Sequence, residues 1–306
     1  MTTIELRISG AGHAHAWRFS GPSGWDELSP RQAVVLMRFR ERINGDLTLL
    51  FPVLELLYGL KLSQQRWLFD ERFLVKKGLS GPERQHALGC GQALIDTLEW
   101  VGLSEPGDCF LVPSFRLLDF QYGSARVLLG RSLHQAYYHG PLAGLASSSF
   151  GEFMHAENAY KANNLALLAA ILYRPVRADA AGLSKDADRR QEFSADQVDD
   201  RAELFTQIDP ALAQLIAHQF AASKQTLLRI FPRVFSQPAD EEQTKQKKPA
   251  STSPAGWLDV AIGLAKLDVT KIALIEQTNL YLALKVLDEQ IRQADEMEQQ
   301  METMRR

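Results

Sequence analysis

Residues 236 to 254 read SQPADEEQTKQKKPASTSP and hold almost no apolar side chain. Ordering such a stretch costs conformational entropy that no burial offsets. It therefore restricts the fold more than any other feature, predicting a body over residues 1–235, a flexible linker over 236–254 and a helical arm over 255–306. A chain of 306 residues exceeds one typical domain, and 45% apolar with 23% charged residues is a globular balance. One large body with an appendage, or two domains, would each bury a core.

The body opens on period-two alternation. Ile4, Leu6 and Ile8 share one face against Glu5 and Arg7, and Trp17 and Phe19 alternate around Arg18. Gly10 and Gly12 lie between them and supply turn freedom, so the spacing predicts a small antiparallel hairpin that needs a helix to cover it. Ser29-Pro30 then opens a helix with Val34, Leu36, Met37 and Phe39 on its apolar side and Arg31, Arg38, Arg40 and Arg42 opposite, closed by Asn44-Gly45. Further helices are predicted at about 46–59, 63–73 and 82–102. The many glycines and prolines of 104–146 predict turns, short helices and a strand pair.

A helix from Phe150 to Tyr173 is expected to stop at Pro175, because proline disfavours a helical residue before it. Residues 176–193 read as an exposed loop. Ser194-Ala195-Asp196 opens another helical tract, and Asp209-Pro210 caps a longer helix that ends near Pro232. The fold class is mainly α: a multi-helix body with a small N-terminal antiparallel β-hairpin and a C-terminal helical arm.

A net charge of −3 leaves the molecule without the basic surface that nucleic acid requires. Lys245, Lys247 and Lys248 follow Asp240, Glu241 and Glu242 and read as a mixed-charge linker. The apolar run Leu47 to Leu60 is interrupted by Pro52 and Glu55, and none reaches the roughly 20 residues that span a bilayer. With no basic-then-apolar pattern at residues 1–7, the expectation is a cytoplasmic protein without nucleic-acid or membrane partners. Cys90 and Cys109 lie in no nucleophile or Cys-x-x-Cys pattern and are predicted to be structural, with Gly89 and Gly91 marking close helix packing.

Two Glu-x-x-His pairs, Glu83 to His86 and Glu152 to His155, carry the spacing that puts two metal ligands on one helical face. A di-metal carboxylate site needs a further Glu from each of two other helices, and after Glu55 the stretch 106–146 contains none. Both glutamates have a simpler role at a helix N-terminus, with Ser149 to Glu152 spaced as a capping box. His13 and His15 would share a strand face but bring no further ligands, and read as exposed turn residues; His134 and His139 have no helical spacing. Gly-x-Ser-x-Gly and phosphate-loop patterns are absent from the sequence. Tyr137, Tyr138 and Trp67 lack a basic surround and read as core or interface. The chemistry therefore points to a binding protein with no catalytic residues, cofactor or metal.

Phe150-Gly151-Glu152-Phe153 with Ala156-Glu157, and then Leu168 through Pro175, resemble a pattern in phage and prophage proteins from Bacteroidetes that are associated with tail assembly. The resemblance continues through Arg201 to Phe205, Phe231 to Phe235 and Trp257-Leu258-Asp259 into the terminal helix, with Trp25 to Leu28 as its N-terminal piece. It covers mainly residues 150 to 290. It implies a helical, cofactor-free tail assembly chaperone or adaptor that engages the tape-measure protein or neighbouring tail components in the bacterial host cell. A self-associating structural component of the virion is the alternative.

In the arm, Trp257, Val260, Ile262 and Leu264 begin a short helix, and Leu280, Leu284, Leu287, Ile291 and Ala294 recur at spacings of four and three. This seam loses its register at Glu298. It can dock on the body or on a partner, and the predicted partner-binding residues are Trp257, Leu280, Leu284, Leu287 and Ile291.

Overall fold

A computed structural model describes residues 1–43, 46–120, 136–184, 187–235, 256–266 and 268–305. Its contacts divide the chain into two compact units, Met1–Gly107 and Asp108–Arg306. The division thus falls at the Pro106-Gly107 turn and not at the polar segment 236–254, which lies outside the described residues. It is mainly helical, with a two-stranded N-terminal sheet as predicted and a second, three-stranded one.

In the first unit, β1 (Thr2–Gly10) and β2 (His13–Gly21) form one antiparallel hairpin with Leu6 opposite Trp17 and Ile8 opposite His15. Its turn needs left-handed backbone at three successive residues, φ 154° at Gly10, 47° at Ala11 and 79° at Gly12, which glycine adopts at little cost. Leu6, Ile8 and Phe19 are buried as the alternation predicts. The histidines correct the exposed-turn reading. They stand half-buried on β2, where the His15 ring centroid lies 4.4 Å from that of Trp67 and stacks on Trp17 at 5.2 Å.

The helices of this unit are α1 (Pro30–Ile43), α2 (Leu50–Tyr58), α3 (Leu62–Phe69), α4 (Glu71–Lys76), α5 (Gly81–Asp96) and α6 (Glu99–Leu103). The closing pair Asn44-Gly45 lies outside the described residues. The single helix expected over 63–73 is two, because Asp70 takes an extended backbone and accepts a hydrogen bond from the Phe73 amide at 2.9 Å. Likewise 82–102 divides into α5 and α6. Of the two glycines just past α5's midpoint, Gly91 does serve close packing, since a Cβ there would fall 2.3 Å from the Leu68 carbonyl oxygen, whereas a Cβ on Gly89 would meet nothing within 4 Å.

The second unit begins with β3 (Ser114–Arg116) and β4 (Tyr137–His139), the expected strand pair, which is antiparallel with Phe115 opposite Tyr138. Residues 121–135, including His134, lie outside the described set. There follow α7 (Phe150–Lys161), α8 (Leu165–Leu172) and a short third strand, β5 (Arg174–Pro175), paired to β4. The predicted helix from 150 to 173 is therefore broken. Asn163 adopts φ 53° and the Asn164 side chain accepts from the Leu167 amide at 3.1 Å, so an asparagine pair ends one helix and caps the next.

The unit continues with α9 (Val198–Phe205), α10 (Pro210–Ile230), α11 (Pro232–Phe235), α12 (Gly256–Leu264), α13 (Ile272–Gln277) and α14 (Leu280–Arg305). Its core is aromatic and aliphatic, with Phe150, Phe153, Leu168, Leu215 and Phe220 fully buried. Burial of one such side chain contributes about 1.5–3 kcal/mol relative to exposure. Among the described residues no helix is long and apolar enough to cross a membrane.

The arm is part of this unit. Trp257 stands edge-on to Phe153 at 5.1 Å and to Phe150 at 5.8 Å. The Phe150 amide donates to the Thr278 carbonyl at 2.8 Å, and the Leu280 amide to the Ser148 carbonyl at 2.9 Å. A Cβ on Gly151 would come within 2.9 Å of the Glu276 Cβ, so only glycine admits α13 this close to the start of α7. Of the two docking readings of the seam, the body takes its first half.

Candidate functional site

Two features of the second unit compete for a functional role: a buried ionic cluster under a cleft, and the outward surface of α14. The cluster starts at α7. Ser149 caps the helix by accepting from the Glu152 amide at 3.1 Å, but the other half of the predicted capping box is not made. The Glu152 carboxylate is instead fully buried, 2.5 Å from Arg190 and 3.0 Å from Arg174. Arg190 is itself buried, which corrects the reading of 176–193 as exposed throughout.

The guanidinium of Arg190 is saturated. It donates to Asp188 at 2.9 Å, to Glu152 at 2.5 Å, to the Leu172 carbonyl at 2.8 Å and to Ser147 Oγ at 3.1 Å. Burial alone would lower its pKa, and the charge of Glu152 with the Asp188 hydrogen bonds more than offsets that, leaving it raised. Arg174 donates to the Gln191 and Ile171 carbonyls, and burial lowers its pKa despite Glu152. Arg201, also buried, is lowered by burial and then by the nearby Arg174. All three remain cationic, since arginine does not deprotonate in proteins.

A cleft of about 300 Å³ opens over this cluster, lined among others by Ser147, Arg174, Arg177, Arg190 and Phe193. Its arginine donors are already engaged, Arg177 with Asp179 and the others as described. An incoming anion would have to displace Glu152 or Asp188. The arrangement is a brace that ties the start of α7 to the chain around Arg174 and Arg190, and breaking such a pair costs about 3–5 kcal/mol.

The Glu-x-x-His residues are similarly occupied. Glu83 accepts from the Ser80 amide at 2.7 Å and completes a capping box, which together with its side-chain bond to Ser80 holds its carboxyl below the usual range. His86 Nε2 lies 2.9 Å from the Arg7 carbonyl oxygen, and the His155 ring packs on Phe193 at 5.3 Å. Among the described residues no group of His, Cys, Asp and Glu is arranged to hold a metal ion. Tyr138 and Trp67 are buried, Tyr137 is half-exposed, and both cysteines are free.

The predicted contact face of the arm separates into two parts. Leu280 and Leu284 are fully buried inside the unit, Trp257 packs in its aromatic core, and Leu287 and Ile291 are half-buried at the margin. Leu280 and Leu284 are thus already covered by their own chain, while Trp257 is half-buried against Phe150 and Phe153. The reason is that Asn279 sits just before α14, its side chain accepting from the Tyr281 amide at 3.0 Å while its backbone bridges to Ser149.

A different face of α14 is open. Leu282, Val286, Met297, Met301 and Met304 are 56%, 42%, 57%, 57% and 83% exposed. At ~3.6 residues per turn they fall within an arc of about 100°. Gln290, Gln293 and Gln300 in that arc are uncharged and exposed, while Ala283, at the same angle as Met301, is buried. From Leu282 to Met304 this charge-free stripe runs for about 33 Å, with only Gln290 and Gln293 between Val286 and Met297. Glu289 and Glu296 border it on one side, both paired to Arg292, and on the other Arg305 lies nearer than Glu298. No protein-family model matches the chain, and no curated protein or solved structure matches it either.

Proposed function

We propose that this chain is a non-enzymatic tail-assembly adaptor or chaperone of the phage type, which binds other tail proteins, the tape-measure protein among them, through helical surfaces. The observation that carries the binding reading is the charge-free exposed stripe of α14. Exposed apolar side chains grouped on one face, here Leu282 with Val286 and Met297 with Met301 and Met304, mark an interaction site on a folded chain, and methionine side chains adapt to varied partner shapes. The tail-assembly part rests on the resemblance over residues 150 to 290. The protein acts in this reading in the cytoplasm of the bacterial host, without a cofactor.

The binding segment is narrower than residues 255–306, because the chain up to about Ile291 completes the second unit. The test is co-expression with the tail proteins encoded by adjacent genes. Full-length chain captures one of them, and a chain ending at Arg292 folds equally well and captures much less. Capture of none of them, or equal capture by the shortened chain, contradicts the proposal.

A further inference from the structure

The two halves of α14 draw their apolar side chains from different residue types. Up to Ile291 the helix uses leucine, valine and isoleucine, and no methionine. From Arg292 onward its only apolar side chains are Ala294, Met297, Met301 and Met304. Leucine and methionine are close in volume and in helix propensity, so neither packing nor helix formation requires the change. Every described side chain from Gln293 to Arg305 is exposed, so solvent reaches the three sulfurs, whereas Met37 and Met154 are buried. The apolar character of the outer half thus rests on the thioether, the apolar group that a mild oxidant turns polar.

We propose that Met297, Met301 and Met304 form a reversible oxidation site, through which peroxide switches the outer face of α14 from an apolar, binding surface to a polar, non-binding one. In each step the thioether sulfur donates an electron pair to one peroxide oxygen. An S–O bond forms as the O–O bond breaks; sulfur is oxidised to the sulfoxide, and the peroxide is reduced and leaves as water after a proton shift. A sulfoxide reductase reverses the step with thiols, which become a disulfide while the oxygen departs as water. The three positions fall within an arc of about 60°. Full oxidation therefore lays three polar groups along one line and leaves that face without an apolar side chain beyond Val286. The site deepens the adaptor reading and rests on it for the claim that the face has a partner.

The full chain is treated with hydrogen peroxide, mapped by peptide mass spectrometry and run on a hydrophobic-interaction column, beside a Met297→Leu, Met301→Leu, Met304→Leu triple variant. That variant keeps Met1, Cys90 and Cys109, so it reports oxidation elsewhere on the surface. One oxygen is expected on each of Met297, Met301 and Met304 before any on Met37 or Met154, together with a shorter column retention. Reductases for both sulfoxide epimers, supplied with a thiol, should remove the oxygens and restore the retention. Once peroxide is removed, capture of the adjacent-gene tail protein by the oxidised chain should be at least ~10-fold weaker, the equivalent of about 1.4 kcal/mol, and should return on repair. The leucine variant, compared with its own untreated sample, should lose neither retention nor capture.

Oxidation of Met37 and Met154 alongside the exposed three overturns the proposal, as does a leucine variant that is equally sensitive to peroxide. Sulfoxides that the reductases leave in place on the folded chain overturn it too, as does a circular dichroism melt showing the body unfolded by oxidation. The two readings fail separately. Tail-protein capture undiminished after all three sulfurs are oxidised keeps the adaptor reading and removes this one, whereas retention that falls and recovers with no tail protein captured does the reverse.

Discussion

The two halves of α14 share one periodicity and end in opposite circumstances. Over Leu280 to Leu287 the apolar seam faces the body, with Leu280 and Leu284 fully buried and Asn279 joined to Ser149 across a backbone bridge. From Gln293 to Arg305 every described side chain is exposed, yet Met297, Met301 and Met304 still form an apolar line. Amphipathicity alone does not say what covers a face. The first half has a seat on the body, where Asn279 bridges to Ser149 and the Tyr281 hydroxyl donates to the Gly144 carbonyl at 2.9 Å; the second runs past the end of that seat.

The contrast predicts graded effects, each measurable by urea denaturation of the full chain. Removing the brace beneath the seat is expected to be the most damaging change. Glu152→Ala leaves the buried Arg174 without its carboxylate and Arg190 with Asp188 alone, and should cost about 3–5 kcal/mol. Leu284→Ala, which hollows the docked half, should cost about 2–5 kcal/mol through lost transfer energy and a cavity. Met301→Ala, chemically a similar truncation on the free half, should stay within about 0.5 kcal/mol. Equal losses at positions 284 and 301 would erase the distinction between the halves.

The smallest effect concerns the free half itself. Glu289 is held at a pKa of about 2 against the ordinary 4.5, chiefly by its hydrogen bond to Arg292 and then by Gln293. A depressed carboxylate stabilises above its unfolded pKa and loses that contribution as pH falls through the folded one. Helicity of the wild type should therefore exceed that of Glu289→Gln near neutral pH, and the difference should close between pH 4.5 and about 2. A difference that persists unchanged at the acid end would show that the carboxylate charge is not its source.

Much of the fold was legible because local chemistry decided it. Alternation at Ile4, Leu6 and Ile8 gave the hairpin, and Pro82, Ser149 and Asp209-Pro210 each start the helix expected of them. Asp70 and Asn163-Asn164 were overlooked because apolar periodicity continues across them, although both residue types favour caps and turns. The brace had no local signal at all: Glu152 meets Arg190 from 38 residues away. The outer stripe went unread for a geometric reason. Following the seam through Leu287 and Ile291 to its end at Glu298 leaves out Leu282, Val286 and Met297, which lie on a neighbouring arc of the same helix.

The most direct test is hydrogen exchange followed along α14 by mass spectrometry, because local opening reports local tertiary support. In the free protein, amides of residues 283–287 should exchange as slowly as those of α10, and those of 296–304 rapidly. Saturation with a captured tail protein should slow exchange across 293–305 and leave 283–287 unchanged. Protection of 296–304 in the free protein equal to that of 283–287, or no slowing there with the tail protein bound, would contradict the assignment of the outer half of α14 as a partner-binding surface.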